Sequence, residues 1–469
     1  MSKQPYKILK NLRVFGIGAK GNALAKAEDG KMVFVPYVAP GDLIDARVIK
    51  KRKNYLHAQA LHVHEPSKDR VLPKCVHFTQ CGGCKWQHLS YTEQLRHKQI
   101  EVLENLKRIG GVVPETIDEI LGSQKVYEYR NKMEFSFSDV RWIETSEIES
   151  GEIFDRRGLG FHKPGMWDKI IDLEQCHLQA DPSDAIRKFC KEEGIRQGLS
   201  FFNPRAHTGA LRTLMIRNTN QGDLMVLIQF HTASKAEIDN YLTAIATKFE
   251  AITSLLYVIN TKANDTLYDQ EIITFKGKPY IEEHMRGLRF RVDAKSFYQT
   301  NSAQAERLYE VAAAFADLKG SEIVYDLYTG TGTIAQFIAA NASKVIGIEA
   351  VPEAIEKAKE NAALNNIENV VFEVGDMKTA FNADFINRHG RADVVITDPP
   401  RDGMHPEVVQ QLLDLSPEKI VYVSCNSATQ ARDLQLLSQN YKVVRSRAVD
   451  LFPQTHHIEN VVLLHKVYL

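Results

Sequence analysis

Residues 326–335 read Asp326-Leu-Tyr-Thr-Gly330-Thr-Gly332-Thr-Ile-Ala335, a G-x-G-x-x-A pattern. The apolar run Val324-Tyr-Asp-Leu327 precedes it, so the loop falls between a strand and a helix. Glycines in such a loop let a ligand approach the backbone closely. A second strand, Lys344–Glu349, ends on a carboxylate 23 positions after Asp326. A carboxylate there can accept both hydroxyls of a ribose, which suits a nicotinamide dinucleotide or S-adenosylmethionine. Further apolar strands follow at Val370–Val374, Asp393–Thr397 and Ile420–Val423, with helical stretches between several of them. That rhythm predicts a doubly wound, Rossmann-like parallel sheet in a C-terminal domain over 291–469. Two closing strands, about 443–450 and 460–467, are close in sequence and are expected to pair antiparallel.

Working outward, the chain of 469 residues is long enough for roughly three domains of about 150 residues. Apolar residues make up 44% and charged residues 25%, a globular composition. Apolar runs are far shorter than the ~18 residues of a membrane span, and Met1–Lys10 lacks the apolar core of a secretory signal. Six cysteines do not make a disulfide scaffold, so a reducing cytoplasm is the expected location. The net charge of zero conceals an asymmetry. Residues 1–64 hold twelve Lys/Arg against four Asp/Glu. One basic end on a neutral chain suits a nucleic-acid-binding module. Short strands with Gly turns over 10–64 predict a small OB-like β-barrel. The run Lys50-Lys-Arg-Lys53, followed by Tyr55, suits phosphate contact with base stacking. Residues 65–290 are expected to form a mixed α+β central domain, with a helix over 91–110.

Four more motifs bear chemistry. Asp398-Pro-Pro-Arg401 follows the Val394–Thr397 strand, at the sheet edge where such folds bind ligands. Amino-group methyltransferases acting on nucleobases carry a similar loop, usually with an aromatic residue where Arg401 stands. Cys425 follows the next strand, and as a thiolate it would be a strong nucleophile. The segment 452–459 brings Glu459, a candidate general base, toward the same edge. Cys75-x5-Cys81-Gly-Gly-Cys84, with the remote Cys176, is a thiolate set suited to a [4Fe-4S] cluster or a tetrahedral zinc. Cys190 reads as a core residue.

These motifs together resemble the RNA (uracil-5-)-methyltransferases, most closely the type acting on 23S ribosomal RNA, over nearly the whole chain. The resemblance implies that 1–64 is a TRAM domain, marked by Phe34-Val-Pro36 and Pro40-Gly-Asp42. It implies a [4Fe-4S] cluster on Cys75, Cys81, Cys84 and Cys176. Tyr129-Arg-Asn-Lys132 and Gly160-Phe161 match its central domain, and the helix after the cysteines is expected to pack with the catalytic domain. Phe297-Tyr-Gln299-Thr-Asn301 matches a segment whose Gln contacts S-adenosylmethionine. Tyr328, Gly330, Gly332, Thr333, Glu349, Asp376 and Asp398 fall at the other cofactor positions; the family often has Phe and Asn where Tyr328 and Thr333 stand. Cys425 matches the nucleophile and Glu459 the base. Gln454 stands where several relatives have His and receives no role. The expected partner is 23S ribosomal RNA, with no membrane and a monomeric enzyme. Transfer RNA is the competing substrate, and enzymes for it are expected to resemble only the latter half of this chain. Two other readings are a non-catalytic iron-sulfur RNA-binding protein and a nicotinamide-dependent oxidoreductase.

Overall fold

The computed structural model describes residues 7–152 and 154–468. Five N-terminal strands close into a barrel in the order Ile8–Ile17, Ala23–Lys26, Met32–Val35, Tyr55–Glu65, Leu43–Lys51. Its interior is built from small and β-branched residues such as Val14, Ala25, Val33, Val35 and Ala46, because a five-stranded barrel has room for little more. Buried Asp42 staples the barrel to the segment 67–70 beyond its last strand. Its carboxylate accepts from Ala39 N, Ser67 N and the Arg70 guanidinium at 2.6–2.9 Å. The Lys50–Lys53 tip is exposed, beside Tyr55 packed edge-on against Phe34 at 5.5 Å.

The middle of the chain forms a seven-stranded sheet in the order Ile273–Gly277, Ser254–Ile259, Leu224–Phe230, Leu211–Asn218, Lys132–Ser138, Gly158–Lys163, Met166–Asp172. The strand Leu224–Phe230 is buried along its whole length, as its unbroken apolar run requires. Helices Ser183–Arg196 and Lys235–Lys248 pack together and share the core of this sheet. Ser234 caps the second, with Glu237 closing the reciprocal bond.

The C-terminal sheet has eight strands in the order Val370–Val374, Lys344–Glu349, Ile323–Leu327, Val394–Thr397, Lys419–Ser424, Glu459–Lys466, Tyr441–Val449, Thr116–Ile117. The first five are parallel; Glu459–Lys466 runs antiparallel to its neighbours. The order reverses at Ile323–Leu327, which opens a crevice at the carboxyl ends of the strands.

Two features of this domain bear on the boundaries drawn on sequence. Its outer edge comes from far upstream: Thr116–Ile117 pairs with Arg445–Ser446, and helix Tyr91–Arg108 buries Val102 and Leu106 beside Leu434 and Leu437. The expected division at 290/291 also falls inside the strand Leu288–Asp293, paired with Tyr280–Met285. That ribbon lies on helix Pro352–Leu364, with Arg291 N donating to Asn361 Oδ1 at 2.9 Å. The ribbon's two sides are amphipathic, which hides the change of domain from composition. One core runs on through it, from Met225 and Leu227 to Val345 and Val394.

Candidate active site

The carboxyl edge of the parallel strands gathers most of the chemistry. Leu327 pairs with both Ile348 and Thr397, so the glycine loop, Glu349 and Asp398 emerge from three neighbouring strands. Gly332 has φ +76°, and a Cβ there would stand 2.5 Å from the Phe372 ring and 3.0 Å from Ala358. Only glycine fits that turn. Asp326 is fully buried, and its Oδ2 accepts from Thr329 Oγ1 and Ala335 N, while Oδ1 has no partner. Burial pushes its carboxyl up to about 7. Glu349 holds the loop by accepting from Gly330 N, Ala350 N and Val351 N. Thr333 is buried at the start of the next helix; Tyr328 is half-buried, with φ +61°. Asp376 is exposed just past Val370–Val374. Gln299 lies where the two larger domains meet, its carbonyl accepting from Asn131 Nδ2 and its side chain bonded to Tyr309. A buried acid with one unpaired oxygen, a glycine cradle and a ribose-height carboxylate fit a nucleoside cofactor with a cationic group.

Cys425 sits in the turn between Lys419–Ser424 and helix Ser427–Leu437, which Asn426 caps. Ser424 is paired with Asn460, so Glu459 starts the adjacent strand one residue away across the sheet. Asp398, Cys425 and Glu459 are close enough for each carboxylate to act on the thiol. Burial, then these two charges, push the Cys425 thiol up to about 11. Burial and Asp398 likewise hold the Glu459 carboxyl well above its ordinary range. Arg401 opposes both and hydrogen-bonds the thiol. Its backbone carbonyl is tied to the Cys425 turn by Asn426 Nδ2 at 2.9 Å and Thr429 Oγ1 at 3.0 Å. The sequence assigned Arg401 no role, because the contact depends on two loops meeting in space. These surroundings set the reactivity of the thiol. Iodoacetamide labelling of Cys425, followed by peptide mass spectrometry, is expected to be slow at pH 7.5 and to rise steeply toward pH 11. Arg401→Leu removes the opposing cation and slows labelling at pH 9 further. Labelling at pH 7.5 as fast as that of a free thiol contradicts this arrangement.

The four expected metal ligands lie in one place. Cys75, Cys81, Cys84 and Cys176 all line a cavity of about 770 Å³ that extends to Arg401, Phe452 and His457. Gln87 bonds Cys75 N at 3.0 Å and the Cys84 thiol, and Cys176 N donates to Asp184. Burial, opposed at Cys84 by the Gln87 bond and at Cys176 by a backbone bond and then compounded by the neighbouring thiols, pushes both up to about 12. Neighbouring thiols act on Cys81, Cys84 and Cys176, yet among the described residues no three His, Cys, Asp or Glu side chains draw together tightly enough to hold a metal ion. The cavity's other walls carry Arg130, Lys132, Lys295 and the 70%-exposed ring of Phe297. A volume of this size with aromatic and cationic walls suits nucleotides.

The fold and this crevice define the class of the S-adenosylmethionine-dependent methyltransferases. Comparison with known proteins narrows it. A tRNA (uracil-5-)-methyltransferase family model matches residues 214–467, and a TRAM domain model matches 11–61. The chain belongs to that RNA methyltransferase family, with an N-terminal TRAM domain. It is 52% identical over 463 residues to an uncharacterized RNA methyltransferase of Porphyromonas gingivalis, covering 97% of this chain and 99% of that one. A relative of the same description from Chlorobaculum tepidum is 38% identical, covering 95% and 94%. Among solved structures, the Pyrococcus abyssi tRNA (uracil-54, C5)-methyltransferase in complex with S-adenosyl-L-homocysteine superposes with a TM-score of 0.74. It is 28% identical and covers 96% of this chain and 99% of that one. That likeness corrects one expectation: a transfer RNA enzyme can share the full length of this chain, so its architecture does not separate the two substrates. The nicotinamide reading of the glycine loop is set aside by the family. Among the described residues no helix is long and apolar enough to cross a membrane.

Proposed function

We propose that this enzyme transfers a methyl group from S-adenosylmethionine to C5 of a uridine in 23S ribosomal RNA. The observation that carries the chemistry is the meeting of Cys425, Glu459 and Asp398 at one strand edge, beside the glycine loop. Bound at that loop, the sulfonium supplies an electrophilic methyl group. Asp326, Glu349, Asp376 and Gln299 are the groups we assign to hold it, with Tyr328 and Thr333 shaping the pocket. C5 of uracil is a poor nucleophile by itself. Cys425 gives its thiol proton to solvent, and the thiolate forms a bond to C6 while the C5=C6 pair moves out toward O4 as an enolate. C5 then bonds to the methyl group as the methyl–sulfur bond breaks. Glu459 takes the C5 proton, the C5=C6 bond re-forms, and the thiolate leaves. Arg401 offsets the negative charge through these steps. Protonation of either neighbouring carboxyl also removes a charge that disfavours the thiolate.

The uridine must leave its stack to reach the cavity, which costs least in a loop. The basic barrel tip supplies sequence-independent grip. The cysteine quartet is assigned to a [4Fe-4S] cluster that ties Cys176 to the Cys75–Cys84 loop. What supports ribosomal RNA is the resemblance of the sequence motifs to the type acting on 23S ribosomal RNA. A second reading, transfer RNA, has its own support in the full-length likeness to the P. abyssi enzyme. The test is methyl transfer from labelled cofactor to unmodified 23S ribosomal RNA and, separately, to unmodified transfer RNA. It uses anaerobically purified protein assayed for iron and sulfide. 5-Methyluridine in ribosomal RNA alone is expected. Label in transfer RNA alone keeps the chemistry and replaces the substrate. No label in either removes the reading.

A further inference from the structure

The turn at 450–458, just before Glu459, is bonded to four separate parts of the chain. Lys85 N and Trp86 N, the two residues after Cys84, both donate to the carbonyl of Gln454, at 2.9 and 3.0 Å. Gln94, on helix Tyr91–Arg108, makes a reciprocal pair with Gln454. Its Nε2 donates to Gln454 Oε1 at 3.0 Å, and its Oε1 accepts from Gln454 N at 2.8 Å. The same Nε2 also donates to the carbonyls of Trp86 and Leu89. Tyr129 Oη donates to the Pro453 carbonyl at 2.9 Å, and Asn301 Nδ2 to that of Leu451 at 2.9 Å. Gln454 is only 4% exposed and has φ +68°, a conformation costly for a side chain other than glycine. A strained, buried glutamine with every main-chain polar group engaged is held there by its surroundings.

Glu459 lies between this turn and a second anchor. Asn460, its neighbour, is locked by Gln430 at 2.8 and 3.1 Å and by Ser446 Oγ at 3.1 Å. The carboxylate's aim therefore depends on the upstream side, through Gln454. Cys425 and the glycine loop stand on the parallel strands; helix Tyr91–Arg108 reaches the Cys425 side through Asn105, which donates to Ser427, while the bonds of Gln94 and Gln454 end on other segments. We propose that Gln94 and Gln454 are positioning residues that couple the cysteine loop to Glu459, and so act on proton removal rather than on methyl transfer. The inference rests on Glu459 being the base.

Gln94→Leu keeps the volume and loses every bond. Its cofactor affinity and single-turnover methyl transfer to RNA are expected to stay within about twofold of wild type. Multiple turnover is expected to fall at least tenfold, a misplacement effect of ordinary size. A detergent-stable RNA–protein adduct carrying the methyl label should accumulate. Gln454→Gly keeps the main-chain bonds and tolerates the positive φ, and should give the same adduct to a lesser degree even if Gln94→Leu folds poorly. Glu459→Gln serves as the reference. If Glu459→Gln accumulates adduct and both glutamine variants turn over normally without it, the coupling is overturned. Equal losses in single and multiple turnover overturn it too, since both half-reactions would then share the support. If Glu459→Gln itself turns over normally, the base assignment falls and takes the coupling with it.

Discussion

Cys425→Ala is expected to lower RNA methylation by about 10⁴-fold or more, while cofactor affinity stays within about twofold. Removing a covalent nucleophile takes away a whole pathway, and losses of that order are what such deletions give elsewhere. The expected separation of binding from chemistry comes from the fold. Asp326, Glu349 and the glycines belong to strands on one side of the crevice, and Cys425 to a turn on the other. The alanine leaves Asn426 capping its helix and Ser424 in its sheet pair, so the turn survives. Isothermal titration with the cofactor, and trapping with 5-fluorouridine RNA in place of substrate, measure the two halves. Wild-type binding with no adduct is the expected pair of results. Residual turnover near wild type removes Cys425 from the mechanism.

Lys98→Met is expected to destabilise the catalytic unit by about 3–5 kcal/mol, the usual cost of leaving one member of a buried ion pair unpartnered. Lys98 and Asp450 are both 0% exposed, with Nζ 2.6 Å from Oδ1. Lys98 also donates to the Phe452 carbonyl and lies over the Trp86 ring, and Asp450 accepts from Tyr91 and Phe452 N. Methionine keeps the packing on Trp86 and loses the charge, so the buried carboxylate is stranded. A Lys98→Met/Asp450→Leu double variant should recover part of the loss. Recovery is incomplete because the Tyr91 hydroxyl loses its acceptor. Urea midpoints of wild type, both single variants and the double variant form the cycle that isolates the pair. Additive losses refute the coupling.

Much of this was legible in the sequence, for identifiable reasons. The barrel, the parallel strands and the glycine loop repeat local patterns, and local patterns survive translation into structure. The placement of Cys425 and Asp398 was legible because they stand at strand ends, where position along the chain gives position in space. The domain limits were not. The pairing of Thr116–Ile117 with Arg445–Ser446 spans more than three hundred residues and leaves no periodic mark. On sequence, Arg401 was only the residue standing where an aromatic one is usual, and Gln454 received no role. Both acquire roles only through contacts between distant loops. The cysteine quartet shows the opposite case: its spacing was plain, and its four members line one cavity, yet among the described residues they draw into no group that could hold a metal ion.

The barrel's seat has a further bearing on substrate choice. The Trp86 indole donates to the Gly21 carbonyl at 3.0 Å, and Lys85 Nζ to that of Lys20 at 3.1 Å. Gly21 itself meets His456 so closely that a Cβ would stand 2.6 Å from the His456 Cβ. The TRAM barrel is thus seated directly against the turn that ends at Glu459. Grip and reaction centre form a calliper of set span. If RNA is held at the Lys50–Lys53 tip, as proposed, the crevice can receive only those nucleotides that the RNA's own folding places at that span. Choice of uridine then becomes partly a measurement of RNA shape, made before any base is read.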